Sequence, residues 1–517
     1  HEWTLKNPLF GRIALASIEE DRLSLYTVQL AQVLGRKAAS KPLVVALVNL
    51  DQRDEALLEA CRLAAHHLSM LCPQSAMDVL EEVIKMVPFE ETVMHGQQIE
   101  VGLLFCRALS QIRATDPRLT HVLGWLETHA TTDKTRRAIH SIRAHLQRWL
   151  GHYPNYRKML VDAWTMQEKV ESPELLSDLA RQLGDSHFMA GEMDAARRWF
   201  DRGCELAETA GSDLLWAQSE VGRAGVLYAV GQLYESEFSA TRALEIFDAN
   251  EHLPGMSLAI STWANSLRHQ GRLSQALEVL AAAAPILRVS ERPSFYLRVL
   301  ISMARCEMAL GRLGCAQECL DELDAMLRPG EHLHLRLQVS LVHAAVQQLS
   351  GQGHRSVELL QDVIKRATSA GLKIESEVGR FYLAEAIWRS EPETSKSYFQ
   401  SATQRLEKMG HIPALIECCA ARARVLQRQT PPDVIFRPVN PILAAQPAEL
   451  ARLNWAIADA EYTTSHGQDP IIAWHNAKLI WDGIWEQLNE IDKASIQLHP
   501  FAKKIQEGLS EAVVDTV

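Results

Sequence analysis

The stretch Leu183-Gly184-Asp185-Ser186-His187-Phe188-Met189-Ala190-Gly191-Glu192-Met193-Asp194-Ala195-Ala196-Arg197-Arg198-Trp199-Phe200-Asp201-Arg202-Gly203 decides the fold. Helical spacing of small and apolar residues runs up to Gly191 and resumes two residues beyond it. Glycine ends a helix by taking the left-handed cap. Small residues at Gly184 and Ala196 let two antiparallel helices approach, and Phe200 fills the space between them. The stretch reads as one helical hairpin.

The same grammar recurs at 40-residue steps on both sides: Gly151, Gly191, Gly231, Gly271, Gly311 and Gly351. The next step falls on Glu391, in the turn signal Ser390-Glu391-Pro392. Seven residues before each turn stands a small residue: Ala144, Gly184, Ala224, Ala264, Ala304, Ala344 and Ala384. Five after it come Ala196, Ser236, Ala276, Ala316 and Ser356, with Tyr156 the exception. Nine after it come Leu160, Phe200, Leu280, Leu320 and Leu360. A single hairpin cannot bury its apolar face alone, so such units stack into a solenoid.

Gly191, Ala196, Phe200 and Gly203 in one unit, and Gly271, Ala276, Leu280 and Ala283 in another, resemble the tetratricopeptide-repeat pattern. The common repeat of that family is shorter, and the longer period here is similar to that of maltose-activator-like regulators. The resemblance implies an all-α fold: a right-handed superhelix of stacked antiparallel helical hairpins, a TPR-like α-solenoid. It also implies that the second, ninth and twelfth positions of each first helix face a concave groove. Carried onto this chain, the candidate ligand- or partner-binding residues are Asp185, Gln218, Tyr228, Asn265, Arg268, Arg298, Arg305, Gln348, Glu385 and Trp388. Asn265, Arg268, Arg298 and Arg305 stand out as a polar cradle. An Asn amide both donates to and accepts from a peptide backbone, and arginine takes a carboxylate in bidentate fashion. Ordinary groove polarity is the competing reading.

The expected organisation is a joining segment over 1–45, degenerate helical repeats over 46–129, the 40-residue array over 130–430, a proline-rich linker over 431–447 and a helical cap over 448–517. In the first segment, Trp3 to Leu5, Asn7-Pro8-Leu9 and Arg22-x-x-Leu25-Tyr26 resemble the end of a winged-helix module and its join to a helical arm in STAND-class signalling ATPases. That resemblance implies an ATPase module upstream, of which this chain would be the downstream piece. The linker expectation rests on Pro431, Pro432, Pro438, Pro441 and Pro447. Trp474, Trp481 and Trp485 share one helical face, either a buried cap or an interface for a partner or second copy.

Composition narrows the function classes. The 517 residues carry 53 Lys+Arg against 64 Asp+Glu, a net charge of −11, which argues against direct nucleic-acid binding. The Arg136, Arg137, Arg143 and Arg148 cluster reads as a solvated helix face. No apolar run is long enough to span a membrane. The 9 cysteines, an odd number scattered through apolar helical runs, read as free thiols of a cytoplasmic protein. Cys315 and Cys319 lack a second ligand pair at zinc spacing, and His332, His334 and His343 form no ligand pattern. No phosphate loop, nucleophile elbow, metalloprotease or kinase signature is present. The expectation is a non-catalytic arm without cofactor or metal that binds a protein, peptide or small inducer within a larger regulatory protein, with oligomerisation open. The alternatives are a substrate-recruiting scaffold of an enzyme whose catalytic domain lies elsewhere, and a purely structural scaffold.

Overall fold

The structure is a computed structural model. It describes residue 28 and residues 41–514, apart from 70–71, 90–95, 114, 168–171, 290–292, 328–331, 427–428, 446–447, 467, 469 and 498. The resemblance over Trp3 to Tyr26 lies outside the described residues. Among those described, regular structure is helical throughout. The chain divides into two compact units, residues 1–150 with 290–292, and residues 151–289 with 293–517.

The first unit carries α1 (Lys41–Asn49), α2 (Arg53–Ser69), α3 (Pro73–Met86), α4 (Gly96–Ile112), α5 (Pro117–His129) and α6 (Asp133–Trp149). Leu57, Leu80, Val83, Phe105, Leu109, Leu119 and Leu126 form its core. Asp116 caps α5 by accepting from Arg118 N, and Thr132 caps α6 by accepting from Thr135 N. Arg143 and Arg136 of the basic cluster pair with Glu127 and Asp133.

The second unit begins with α7 (Tyr153–Gln167). It continues through α8 (Pro173–Met189), α9 (Met193–Ala210), α10 (Asp213–Ala229), α11 (Leu233–Ala249), α12 (Leu253–His269), α13 (Leu273–Arg288), α14 (Pro293–Ala309), α15 (Leu313–Met326), α16 (Leu333–Leu349), α17 (Val357–Ala370), α18 (Lys373–Ile387), α19 (Pro392–Met409) and α20 (Ile412–Val425). Each even-numbered helix from α8 to α18 pairs with its successor as a hairpin, and the hairpins stack. The α10–α11 turn shows why glycine marks the period. Gly231 has φ +82°, and Gln232 N donates back to Leu227 O at 2.9 Å, the six-to-one bond of a Schellman cap. A second series of turns joins the end of one hairpin to the next, at Gly211, Glu251 and Gly371. Glu251 takes φ +51° there, at some cost for a residue with a Cβ. That series has the same 40-residue period, with Glu251 in the place that Gly211 and Gly371 hold at their steps.

Inside the hairpins the packing follows the residue sizes. Phe200 is 1 % exposed and lies against Gly184 and Gly222, where an added Cβ would sit 2.7 and 2.2 Å from its ring. Ser236 Oγ donates to Ala224 O at 2.8 Å, so this small residue also ties the second helix to the first.

The spine coils back on itself. Gly231 lies beneath Ile412 and Ile442, Gly271 beneath Glu449 and Ile484, and Gly311 against His499. The turns of early repeats are thus the floor on which late helices rest. Those late helices are α21 (Pro432–Phe436), α22 (Asn440–Ala445), α23 (Glu449–Ser465), α24 (Ile471–Glu486), α25 (Glu490–Ile496) and α26 (Pro500–Val514). Pro432 starts α21, as proline does at a first helical position, and Phe436 and Val439 are fully buried in the core around α20. Trp474 and Trp481 are buried with Leu453, Ile484 and Ile505, and Gly508 gives Trp474 its room. Trp485 lies beside Lys493 at 4.7 Å. Two of the three tryptophans on that face are thus buried against neighbouring helices, and Trp485 is partly buried.

Candidate functional site

In the second unit, polar side chains of α10, α12, α14, α16, α18 and α20 meet in one network. The link that closes it runs from α12 to α20. Arg268 Nη2 lies 3.7 Å from Glu417 Oε1 and 2.8 Å from His269 Nε2. Arg268 is 7 % exposed and His269 5 %. Burial works against the Arg268 charge, but Tyr228 and Glu417 hold it on the guanidinium. Burial, reinforced by Arg268, keeps His269 neutral. The Tyr228 ring lies 5.6 Å from that of His269, and burial raises the Tyr228 hydroxyl above its ordinary value.

Further round, Glu385 of α18 receives Arg424 of α20 through two bonds, 2.7 and 3.1 Å. Gln348 of α16 donates to the Tyr382 carbonyl at 2.7 Å. Burial raises the Tyr382 hydroxyl too, and Glu417 and Glu385 add to the effect. Glu375 and His334 meet at 2.8 Å. Burial opposes the Glu375 charge, yet His334 holds its carboxyl below the usual range. His411 caps α20 by accepting from Ala414 N, and burial lowers its pKa to about 4.

Of the residues selected from the sequence, Tyr228, Arg268, Arg305 and Glu385 are brought into one electrostatic neighbourhood around Tyr382 and Glu417. Asn265 lies beside it on α12, donating from Nδ2 to Ser261 O at 2.7 Å and to Ser302 Oγ at 3.4 Å. Its Oδ1 is buried without a hydrogen-bond partner, as is Gln348 Oε1. Arg298 follows on α14 within the same array. Asp185 pairs with Arg181 on its own helix at 3.2 Å, and Gln218 faces His252 at 3.4 Å. Trp388 packs at the end of α18, 5.9 Å from Lys396. These last three make local contacts.

Glu417, Arg424, Tyr382, His269, Glu375 and His411 belong to the same set of contacts and were not singled out by the repeat pattern. Glu417 and Arg424 lie on α20, beyond the last clear turn glycine, and only the return of the coil brings them opposite α12. Tyr382 and His269 are neighbours of groove positions, and burial rather than spacing marks them.

Among the described residues, no group of three or more His, Cys, Asp or Glu side chains is placed to hold a metal ion. No described helix is long and apolar enough to cross a membrane. The cysteines are all free, and burial pushes the Cys106, Cys306 and Cys418 thiols up to about 12.

No family model and no curated protein matches the chain. Solved structures with a similar chain path do. A Rap protein complexed with competence and sporulation factor aligns at TM-score 0.49 and 15% identity, over 76% of this chain and 99% of that one. The apo form of the quorum sensor NprR from B. thuringiensis aligns at TM-score 0.43 and 16% identity, over 68% and 99%. The apo form of RapI aligns at 0.40 and 11%, over 65% and 98%.

Proposed function

We propose that the second unit is a non-catalytic receptor arm whose inner face binds a peptide, a protein segment or a small inducer. The observation that carries this reading is the pair of buried amide oxygens, Asn265 Oδ1 and Gln348 Oε1. Each is held by an amide nitrogen already committed to a backbone carbonyl. A buried acceptor without a donor costs about 1–3 kcal/mol, and a peptide N–H would relieve it. The surrounding charges alternate in sign, which suits a polar ligand read along its length. The arm acts within a larger cytoplasmic regulator: ligand favours one pitch of the coil, and the change in pitch alters how the arm docks on its effector.

The test is a random-sequence peptide pool passed over the immobilised chain, with bound peptides identified by mass spectrometry. Specific sequences should be enriched on the wild type and lost on the Asn265→Ala/Gln348→Ala double variant. Equal recovery from both would reject the inner face as the site.

A further inference from the structure

A cleft of about 900 Å³ opens where the start of α9, the turn into α18 and the end of α19 meet. It is separate from the inner network. Its walls carry the cations Arg198, Lys373, Arg380, Arg405 and Lys408 and the carboxylates Glu192, Asp194, Glu377 and Glu407.

Three features of these walls point to a ligand. Arg198 and Lys408 are exposed and make no ion pair among the described residues. Helices α9 and α18 both begin here without a side-chain cap. The Glu192 carboxylate, which would cap α9, is engaged instead by Arg157 at 3.1 Å, His187 at 2.7 Å and Lys373 at 3.6 Å. The first turn of α18 already carries the Glu375 carboxylate on its own backbone N–H, so the first-turn N–H groups of α9 are those left to favour an anion at this opening. The third feature has the opposite sign. Glu377 is 4 % exposed, and its Oε1 receives both Arg380 and Arg405. Its Oε2 has no partner.

An anion alone would satisfy the cations and the start of α9 but leave Glu377 Oε2 bare. A cation alone would do the reverse. We infer that the cleft binds a small zwitterion: a phosphate or carboxylate held by Arg198, Lys408 and the N-terminus of α9, with an ammonium or other N–H donor directed at Glu377. The volume suits a molecule of metabolite size. A long polyanion is disfavoured because Asp194 and Glu407 line the same opening.

Isothermal titration calorimetry on the full chain tests this with O-phosphoserine, inorganic phosphate and L-serine as probes. O-phosphoserine should bind about tenfold or more tightly than either of the others, because only it makes both charge-assisted contacts. The Arg198→Ala/Lys408→Ala double variant should weaken O-phosphoserine and phosphate alike. Glu377→Gln should bring O-phosphoserine down to the level of phosphate. Arg197→Ala, which removes a neighbouring cation outside the cleft, should bind like the wild type. Undetectable O-phosphoserine binding, or equal binding by wild type and the double variant, overturns the inference. Arg198 and Lys408 are exposed, so that variant keeps the test valid even if Glu377→Gln fails to fold. Failure here leaves the peptide-pool test of the inner face untouched.

Discussion

Arg312 in the α14–α15 turn and Asp492 in α25 form an ion pair across 180 residues of chain, and Ser274 Oγ donates to the second Asp492 oxygen at 2.5 Å. Asp492 is 4 % exposed. Ser274 Oγ in turn accepts from Asn489 N at 3.1 Å. The junction ties the C-terminal helices to the turns of two earlier repeats. It is the polar counterpart of the apolar contacts at Gly231 and Gly271.

Breaking that junction should release the cap. Asp492→Ala leaves Arg312 with Glu307 alone, 3.5 Å away, and strips Ser274 of its acceptor. Removal of one partner of a buried pair costs about 3–5 kcal/mol. The expected result in urea denaturation is a loss of that order, with early protease cleavage between α23 and α26. A loss below about 1 kcal/mol would show that Arg312 reaches water and that the pair contributes little.

The glycines on α8 and α10 separate packing from propensity. At Gly222 an added Cβ would meet the Phe200 ring at 2.2 Å, whereas at Gly225, on the same helix, nothing lies within 4 Å. Gly222→Ala should destabilise by about 1–3 kcal/mol through overpacking. Gly225→Ala should stabilise by about 0.5–1 kcal/mol, the ordinary helix-interior gain over glycine. Thermal melts of the two variants should shift in opposite directions, and a shared sign would contradict the packing described for Phe200.

Acid should destabilise the fold before carboxylates titrate. Burial lowers the His499 pKa from 6.5 to about 4, so it stays neutral in the folded chain. Between those values the unfolded chain binds a proton that the folded chain refuses. The contribution of His499 is therefore intact above pH 6.5 and declines as pH falls towards 4, with a slope of about 1.4 kcal/mol per pH unit at most. His411 has the same sign and window. His499 Nδ1 accepts from Phe501 N at 3.1 Å, and asparagine keeps an acceptor there. Urea midpoints taken from pH 7 to pH 4.5 should fall less steeply for His499→Asn than for the wild type. Parallel slopes would refute a buried neutral imidazole.

On the inner face, Asn265 and Arg268 should behave differently. Asn265→Ala removes an unpartnered oxygen as well as one hydrogen-bonded nitrogen, so its stability cost should stay within about 1 kcal/mol. Arg268→Ala opens a buried space and should cost about 2–3 kcal/mol, of which the pairing with the partly exposed Glu417 supplies at most about 1 kcal/mol. A double-mutant cycle by chemical denaturation measures the coupling, and strict additivity would exclude a direct Arg268–Glu417 interaction.

The repeat was legible because each hairpin is a local object. Gly231, Ala224, Ser236 and Phe200 stand at fixed spacings since helix ends and close approaches repeat with the backbone geometry that needs them. The candidate groove residues Tyr228, Asn265, Arg268, Arg305, Gln348 and Glu385 came from the tetratricopeptide resemblance, and among them Tyr228, Arg268, Arg305 and Glu385 share one electrostatic neighbourhood. The expected open cradle did not foresee that Arg268 is committed to His269 and Glu417, or that Arg424 occupies Glu385.

By itself the sequence determined the all-helical hairpin and its period, because these depend on contacts within a few turns of chain. The tertiary structure alone decided which charges meet across the interior, how Arg312 finds Asp492, and where three distant turns leave a cleft. Those outcomes depend on the small rotation between successive hairpins summed over several repeats, and no local spacing records that sum.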